Sequence, residues 1–517
     1  MEKRRVAIVG AGSSGLTSIK QCLEDNLEPV CFEASDHTGG LWRYTEVNEK
    51  NKDPHSSIYQ SVVINTSKEV MAFTDFPVPY DWPSFLHNKY VVKYFDMYAE
   101  KFNLLPYIKF NSPIQRLSIR PDGRWNVCYL NKDKNEEHEE IFDYVMVCIG
   151  HHRYPRIPKY IGMDKFTNKQ IHSHLYRRAS DYENKRVLVV GCGNSGMDIS
   201  VELSSVASQV FLCSRRGYLP WILPRRLFGR LSADQLATRF FHYFPGFLKN
   251  WLIEFIANYT VGPHPQGFKP KTPPSANHPT VKSDFLERVA IGVIIPKPDI
   301  AELKVDNSIE FVDGSVIENI DAIIYATGYD FVNIPFIDKE IISGGKEVEN
   351  QFGNEEYQEN LVWLYKFIFP PRITSIAFIG LVQAIGAIMP VSDLQAQYAT
   401  SFWTGNLSKT PTPEEMEKDI KKTQDIIRKR YYHSARHTIQ ADMIPYMDEL
   451  AKDMGCLPYP SKILFKFGPR LWKLVLFGVP TPIHYRLLGR QAWNDAPEAI
   501  RIYNGCKPSL STLKKNK

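Results

Sequence analysis

The sequence predicts an α/β chain built on parallel sheets. One pattern of strand, glycine turn, helix and strand occurs twice, and each copy is closed by a further strand. In the first copy the β-branched run at residues 6–9 enters Gly10-Ala11-Gly12-Ser13-Ser14-Gly15, a helical stretch continues to about Leu27, and a strand at residues 29–32 ends on Glu33. In the second, residues 186–190 enter Gly191-Cys192-Gly193-Asn194-Ser195-Gly196, a helix runs to about Val206, and a strand at residues 210–213 ends on Ser214-Arg215-Arg216. Residues 144–149 before Gly150, and residues 322–325 before Ala326-Thr327-Gly328-Tyr329, read as the closing strands. The expected architecture is two Rossmann-like dinucleotide-binding domains with an insertion and a helical or irregular C-terminal region.

A lone G-x-G-x-x-G is a weak signal, and its place between a strand and a helix makes it strong. Gly10 permits the tight turn, Gly12 lets backbone N–H groups approach a pyrophosphate, and Gly15 lets the helix pack closely on the strand. Glu33 can accept hydrogen bonds from ribose hydroxyls, so this cradle suits an adenosine ribose without a 2′-phosphate, as in FAD or NAD. The second cradle has no acid at the end of its strand. The Ser214 hydroxyl and the Arg215 and Arg216 guanidinium groups suit a 2′-phosphate, which predicts NADPH over NADH.

A chain of 517 residues should hold two or three domains. Hydrophobic content of 43% and charged content of 23% supply large cores and exclude wholesale disorder. A net charge of +6 is far from the clustered basicity of a nucleic-acid binder, while it suits anionic cofactors and an anionic membrane surface. The eight cysteines form no C-x-x-C pair, which argues against zinc and against a disulfide reductase and fits a reducing compartment. The charged MEKRR start leads straight into a strand and leaves no room for a signal peptide. The uncharged run at residues 373–392 is long enough to suggest a membrane span, but Gly380, Gln383, Gly386 and Pro390 favour a buried strand at 376–379 and a glycine turn against a cofactor. After Ser392 a helical stretch is expected to about Leu450. His151, His152, His172 and His174 lack a third ligand at metal spacing and read as hinge or cofactor-supporting residues.

Beyond the two glycine turns, the chain carries Gly39-Gly40-Leu41-Trp42, Asn65-Thr66-Ser67-Lys68-Glu69, Gly150-His151-His152, Gly386-Ala387-Ile388-Met389-Pro390, Arg436-His437-Thr438-Ile439-Gln440 and Thr481-Pro482-Ile483-His484-Tyr485-Arg486. With these motifs it resembles the flavin-containing monooxygenase family over nearly its whole length. That family's fingerprint, F-x-G-x-x-x-H-x-x-x-[YF]-[KR], appears as Phe166, Asn168, His172, Tyr176 and Arg177. Asn168 stands in place of the glycine, and the tolerance of asparagine for a left-handed backbone predicts that the linker keeps its path. Tyr176 favours this branch over the related Baeyer–Villiger enzymes.

The resemblance implies FAD in the first cradle and NADPH in the second. It also implies molecular oxygen as co-substrate, a flavin C4a-hydroperoxide, and transfer of one oxygen to small lipophilic nitrogen or sulfur nucleophiles. The alternatives are ketone oxidation of the Baeyer–Villiger type, an NADPH oxidase, and a non-catalytic NADPH-sensing flavoprotein. Asn65 is the candidate catalytic residue, because an amide at the flavin–nicotinamide junction can donate and accept without titrating. Gly40, Leu41, Trp42, Thr66, Asp198, Thr327, Gly328 and Gln383 are expected beside the cofactors. The expected division is FAD-binding at 1–155 and 331–445, NADPH-binding at 156–217 and 297–330, an insertion at 218–296 shaping substrate access around residues 240–259, and a membrane-associating region at 446–517. Residues 463–479 mix Leu, Phe and Trp with Lys466, Arg470 and Lys473 as interfacial helices do. The resemblance implies peripheral attachment to the cytosolic face of the endoplasmic reticulum, with the cytoplasm as the alternative and a homo-oligomer as a further option. The terminal Lys514-Lys515-Asn516-Lys517 looks like a dilysine retrieval signal.

Overall fold

In the computed structural model, which describes residues 3–49, 51–229, 231–349, 359–431 and 437–506, each predicted glycine turn sits in its own five-stranded sheet. The relevant strands in chain order are β1 (Arg5–Val9), β2 (Glu28–Phe32), β3 (Ile108–Lys109), β4 (Tyr144–Val147), β5 (Lys169–His172), β6 (Arg186–Val190), β7 (Gln209–Cys213), β8 (Ile294–Lys297), β9 (Ala322–Tyr325) and β10 (Ile376–Phe378). The first sheet has the order β10-β4-β1-β2-β3 and the second β8-β7-β6-β9-β5. Every pairing in both is parallel. Parallel strands covered on both faces need near-continuous apolar runs, and the runs at Val6–Val9 and Val187–Val190 are buried throughout.

The helices α1 (Ser13–Glu24) and α2 (Asn194–Leu203) follow the two turns. The insertion holds short strand pairs and α3 (Gly246–Thr260). It ends earlier than residue 296, because α4 (Phe285–Ala290) leads back into the second sheet and β8 pairs with β7 along its edge. The uncharged run at 373–392 folds as expected for a buried segment: β10, then Gly380 at φ +84, then the start of α5 (Ile388–Trp403). Almost every side chain of α5 is buried, and Gln395 accepts the Gly380 N–H at 2.8 Å. The helical stretch expected to Leu450 is three helices, α5, Pro413–Arg430 and Met443–Asp453, with a short strand at Gln440–Asp442 before the last.

The C-terminal part enters the core of the first sheet. Ile483, Tyr485, Leu487, Ile500 and Tyr503 join the same apolar cluster as Val6 and Leu16. Their segment is locked by a buried ionic network. Arg486 donates to Thr74 Oγ1 at 2.6 Å and to Gln491 Oε1 at 2.6 Å, and lies 3.3 Å from Asp75 and 3.7 Å from Asp393. Lys20 of α1 reaches Asp75 from the other side at 2.5 Å. Between these segments runs α6 (Pro460–Phe477), broken at Gly468 and Pro469, with Ile463, Leu471 and Val475 turned inward. Among the described residues no helix is long and apolar enough to cross a membrane, and all the cysteines there are free thiols. Arg436 and the Lys514-Lys515-Asn516-Lys517 signal lie outside the described residues.

Candidate active site

Both glycine turns present a helix N-terminus stripped of its own caps. The N-cap positions of α1 and α2 are Gly12 and Gly193, neither has a side-chain cap, and neither first turn holds an acid. The first N–H groups of a helix want an acceptor, and most helices supply Ser, Thr, Asp or Asn for it. Here they are left for an external anion, as a dinucleotide pyrophosphate requires. The floor is glycine for a steric reason. A Cβ on Gly15 would overlap Gly10 O, and one on Gly196 would overlap Gly191 O. Gly10 and Gly191 have φ of +99° and +111°, a region that other residues avoid.

Around the first cradle, Glu33 stands at the end of β2 as expected, with Oε2 accepting Ala11 N–H at 2.7 Å and Oε1 accepting Ser35 N–H at 2.9 Å. It braces the turn as well as facing the cradle. The Gly40–Trp42 turn abuts Gly12, and a Cβ on Gly40 would meet Gly12 Cα at 3.0 Å. Ser56 holds this turn by donating to Leu41 O at 2.7 Å. Ser14 lies against Gly380 from β10's end, so Ser13 and Ser14 open α1 directly beneath the cradle.

The second cradle keeps Ser214, Arg215 and Arg216 behind β7. Ser214 Oγ donates to Tyr218 O at 2.5 Å, Arg216 lies 3.4 Å from both Tyr218 Oη and Asn277 Oδ1, and Arg215 is exposed. Burial pushes the nearby Asp299 carboxyl up, while Arg215 pulls it the other way. Ser195 and Gly196 open α2 behind Gly193. Asp198, one turn further on, pairs with Lys282 at 2.7 Å and accepts a hydrogen bond from Tyr59. Thr327 Oγ1 donates to Arg156 O at 2.5 Å and Gly328 accepts Arg156 N–H at 3.0 Å, so this pair anchors the crossing between domains. Gln383 is bonded to Gln440 across a parallel strand pair.

Asn65 ties its loop to the second cradle. Its loop belongs to the first domain, yet Nδ2 lies 3.3 Å from Asn194 Oδ1 at the start of α2, and Oδ1 accepts from Arg225 of the insertion at 2.9 Å. Asn194 is itself fixed by Val281 N–H at 2.9 Å and Pro279 O at 3.2 Å. Thr66 follows Asn65, half-exposed, in the same loop. Sequence reasoning missed Arg225, Tyr59 and Lys282, since no local motif marks them.

Burial favours the neutral form of His172 and His174. Burial pushes His172 down to about 4 and lowers His174 also; His172 Nδ1 accepts His174 N–H at 3.1 Å, and His174 Nε2 lies 2.7 Å from Pro54 O. No group of residues fit to hold a metal occurs among the described residues. Asn168, just before β5, is not among the residues with left-handed φ; it donates Nδ2 to Ile320 O at 2.8 Å, so the linker needs no glycine-like backbone there.

The site thus has one uncapped, glycine-floored helix end per sheet, with Asn65 bonded to the start of the second helix. A family model for flavin-binding monooxygenase-like proteins matches residues 3–513. The chain is 41% identical to flavin-containing monooxygenase 5 of Cavia porcellus, covering 100% of this chain and 95% of that protein. It is 38% identical to flavin-containing monooxygenase 2 of Homo sapiens, covering 96% and 91%. The S-allyl-L-cysteine S-oxygenase structure from Allium sativum shares the fold with a TM-score of 0.64 at 24% identity, covering 90% of this chain and 92% of that one. The chain therefore belongs to the flavin-binding monooxygenase-like family, as an FAD-dependent monooxygenase that uses NADPH and oxygen.

Proposed function

We propose that FAD lies on the first cradle, NADPH on the second, and that Asn65 serves the oxygen-transfer step onto a soft nitrogen or sulfur nucleophile. The observation that carries this is the bond from Arg225 to Asn65 Oδ1. It engages the acceptor end of the amide, and with one Nδ2 hydrogen on Asn194 Oδ1 the second Nδ2 hydrogen is the donor offered to the reaction. Bound FAD supplies the oxygen-activating chemistry and NADPH the hydride. The chain's own part is to cradle both pyrophosphates at uncapped helix ends, keep the seam sealed, and offer a fixed, non-titrating donor to an oxygen that develops negative charge. Glu33 serves the FAD ribose, and Ser214, Arg215 and Arg216 serve the 2′-phosphate.

Asn65→Ala is expected to consume NADPH with hydrogen peroxide as the main product, with oxygenated thioether per NADPH falling on the order of 10²-fold, the scale for losing one such donor. Peroxide and sulfoxide assays on the same samples read this directly. Unchanged coupling would remove Asn65 from the reaction.

The insertion and C-terminal helix support a peripheral membrane contact. Phe247, Trp251, Phe255 and Tyr259 recur every four residues along α3 and are all exposed, with Trp251 and Phe255 stacked at 5.9 Å. Phe240 packs on Phe477 of α6 at 4.8 Å and joins this stripe to a helix exposing Phe465 at 88%, among Lys462, Lys466, Arg470 and Lys473. The enzyme is expected to co-sediment with anionic phospholipid vesicles, and Trp251→Ser with Phe465→Ser is expected to release it. Retention of the double variant on vesicles would count against the stripe.

A further inference from the structure

The insertion touches the segment around Asn65 at three points, all from the base of one hairpin. Arg226–Leu227 pairs antiparallel with Leu231–Ser232, and Ala233 N–H donates to Arg225 O at 3.1 Å, closing the hairpin's base. One side of that base carries Arg225 on Asn65. The other carries Asp234, whose Oδ2 accepts the Ser67 N–H at 2.7 Å and whose Oδ1 is closed off from solvent. Ser67 is fully buried and is the N-cap of the short helix Lys68–Met71. The next residue of the hairpin side, Gln235, donates to Glu69 Oε2 at 3.1 Å. The hairpin therefore grips positions 65, 67 and 69 of a single loop.

We propose that Asp234 is a positioning residue for Asn65: it fixes the backbone two residues beyond the amide, so that Arg225 and Asn65 stay in register. The proposal rests on the reading of Asn65 as the oxygen-transfer residue. A single backbone N–H can be satisfied by a neutral acceptor, and a buried carboxylate is a costly way to do it. What the charge adds is a shorter, stronger bond to the amide. The surroundings are those of a strained charge. Burial pushes the Asp234 carboxyl up to about 6, and Glu69, itself raised by burial, adds repulsion, with Lys68 as the cation next to Glu69. Below about pH 6 Asp234 takes up a proton and the charge-assisted bond is lost. A carboxyl raised in the fold favours the folded state as it protonates, so the titration of Asp234 does not itself drive acid unfolding.

The test measures the fraction of oxidised NADPH that appears as hydrogen peroxide in the holoenzyme, for the parent, Asp234→Ala, Asp234→Asn and Asn65→Ala, from about pH 5 to about pH 8, a range that brackets the titration. In Asp234→Ala the peroxide fraction is expected to rise severalfold while anaerobic reduction of the flavin by NADPH keeps the parent rate. Asp234→Asn is expected to recover part of the coupling at neutral pH and to lose the rise in peroxide that the parent shows on acidification. If Asn65→Ala uncouples the enzyme and Asp234→Ala does not, the hairpin's role is refuted and that of Asn65 stands. If Asn65→Ala is silent, the reading of Asn65 itself fails. Should Asp234→Ala lose its flavin, Asp234→Asn decides: a pH profile like the parent's overturns the proposal, and a flat one supports it.

Discussion

Gly196→Ala is expected to give a yellow protein that NADPH reduces at least about 100-fold more slowly than the parent, a loss typical of a misplacement near 1 Å at a reacting centre. The added methyl would fall on Gly191 O and within 3.4 Å of the Ala326 side chain, so the start of α2 has to move off the strand. Neither the first turn nor its sheet contacts that methyl, so FAD stays bound and dithionite still bleaches it. The mirror variant, Gly15→Ala, meets Gly10 O in the same way and is expected to purify without flavin. Absorbance of the purified proteins and anaerobic reduction by each donor separate the two. Reduction of Gly196→Ala by NADPH at the parent rate would place the nicotinamide cofactor elsewhere.

Arg486→Met is expected to destabilise the enzyme by about 3–5 kcal/mol, the range for removing one partner of a buried ion pair. Arg486 is 2% exposed and Asp393 is fully buried, so the carboxylate left behind cannot turn to water. Burial alone would push Asp75 up; Arg486 and Lys20 overcome it and hold this carboxyl below its ordinary 3.8. A depressed carboxylate stabilises the fold above the unfolded value, and that contribution fades as pH falls through the folded one. Without Arg486 the depression shrinks, so acid unfolding followed by circular dichroism should begin at a higher pH than in the parent. An unchanged acid limb and an unchanged Tm would show that Lys20 suffices.

The parts of this fold that the sequence announces are those decided locally. A β-branched run, a glycine turn and a helix specify a parallel unit within some thirty residues, so β1, α1, β6 and α2 fall where their residues predict. The junction is different. Asn65, Asn194 and Arg225 come from three separate regions, and Arg225 and Asp234 leave a hairpin whose strands are two residues long, too short to show alternation. The segment 481–488 contains His484 and Arg486, yet both are buried: Arg486 enters the core as a charge with Asp75, Asp393, Thr74 and Gln491 around it, and burial favours the neutral form of His484. At Asn168 the sequence offers only the tolerance of asparagine for the glycine's place, and the bond of its side chain to Ile320 O is a tertiary feature no local pattern shows.

Thr74 and Arg486 are bonded across 412 positions of chain. At synthesis rates of roughly 5–20 residues per second, the ribosome finishes the first glycine turn tens of seconds before the guanidinium that secures its sheet leaves the exit tunnel. Throughout that interval Asp75 has Lys20 beside it but not its late partner, so the ionic network under the first sheet is completed long after the strands around the turn have been made.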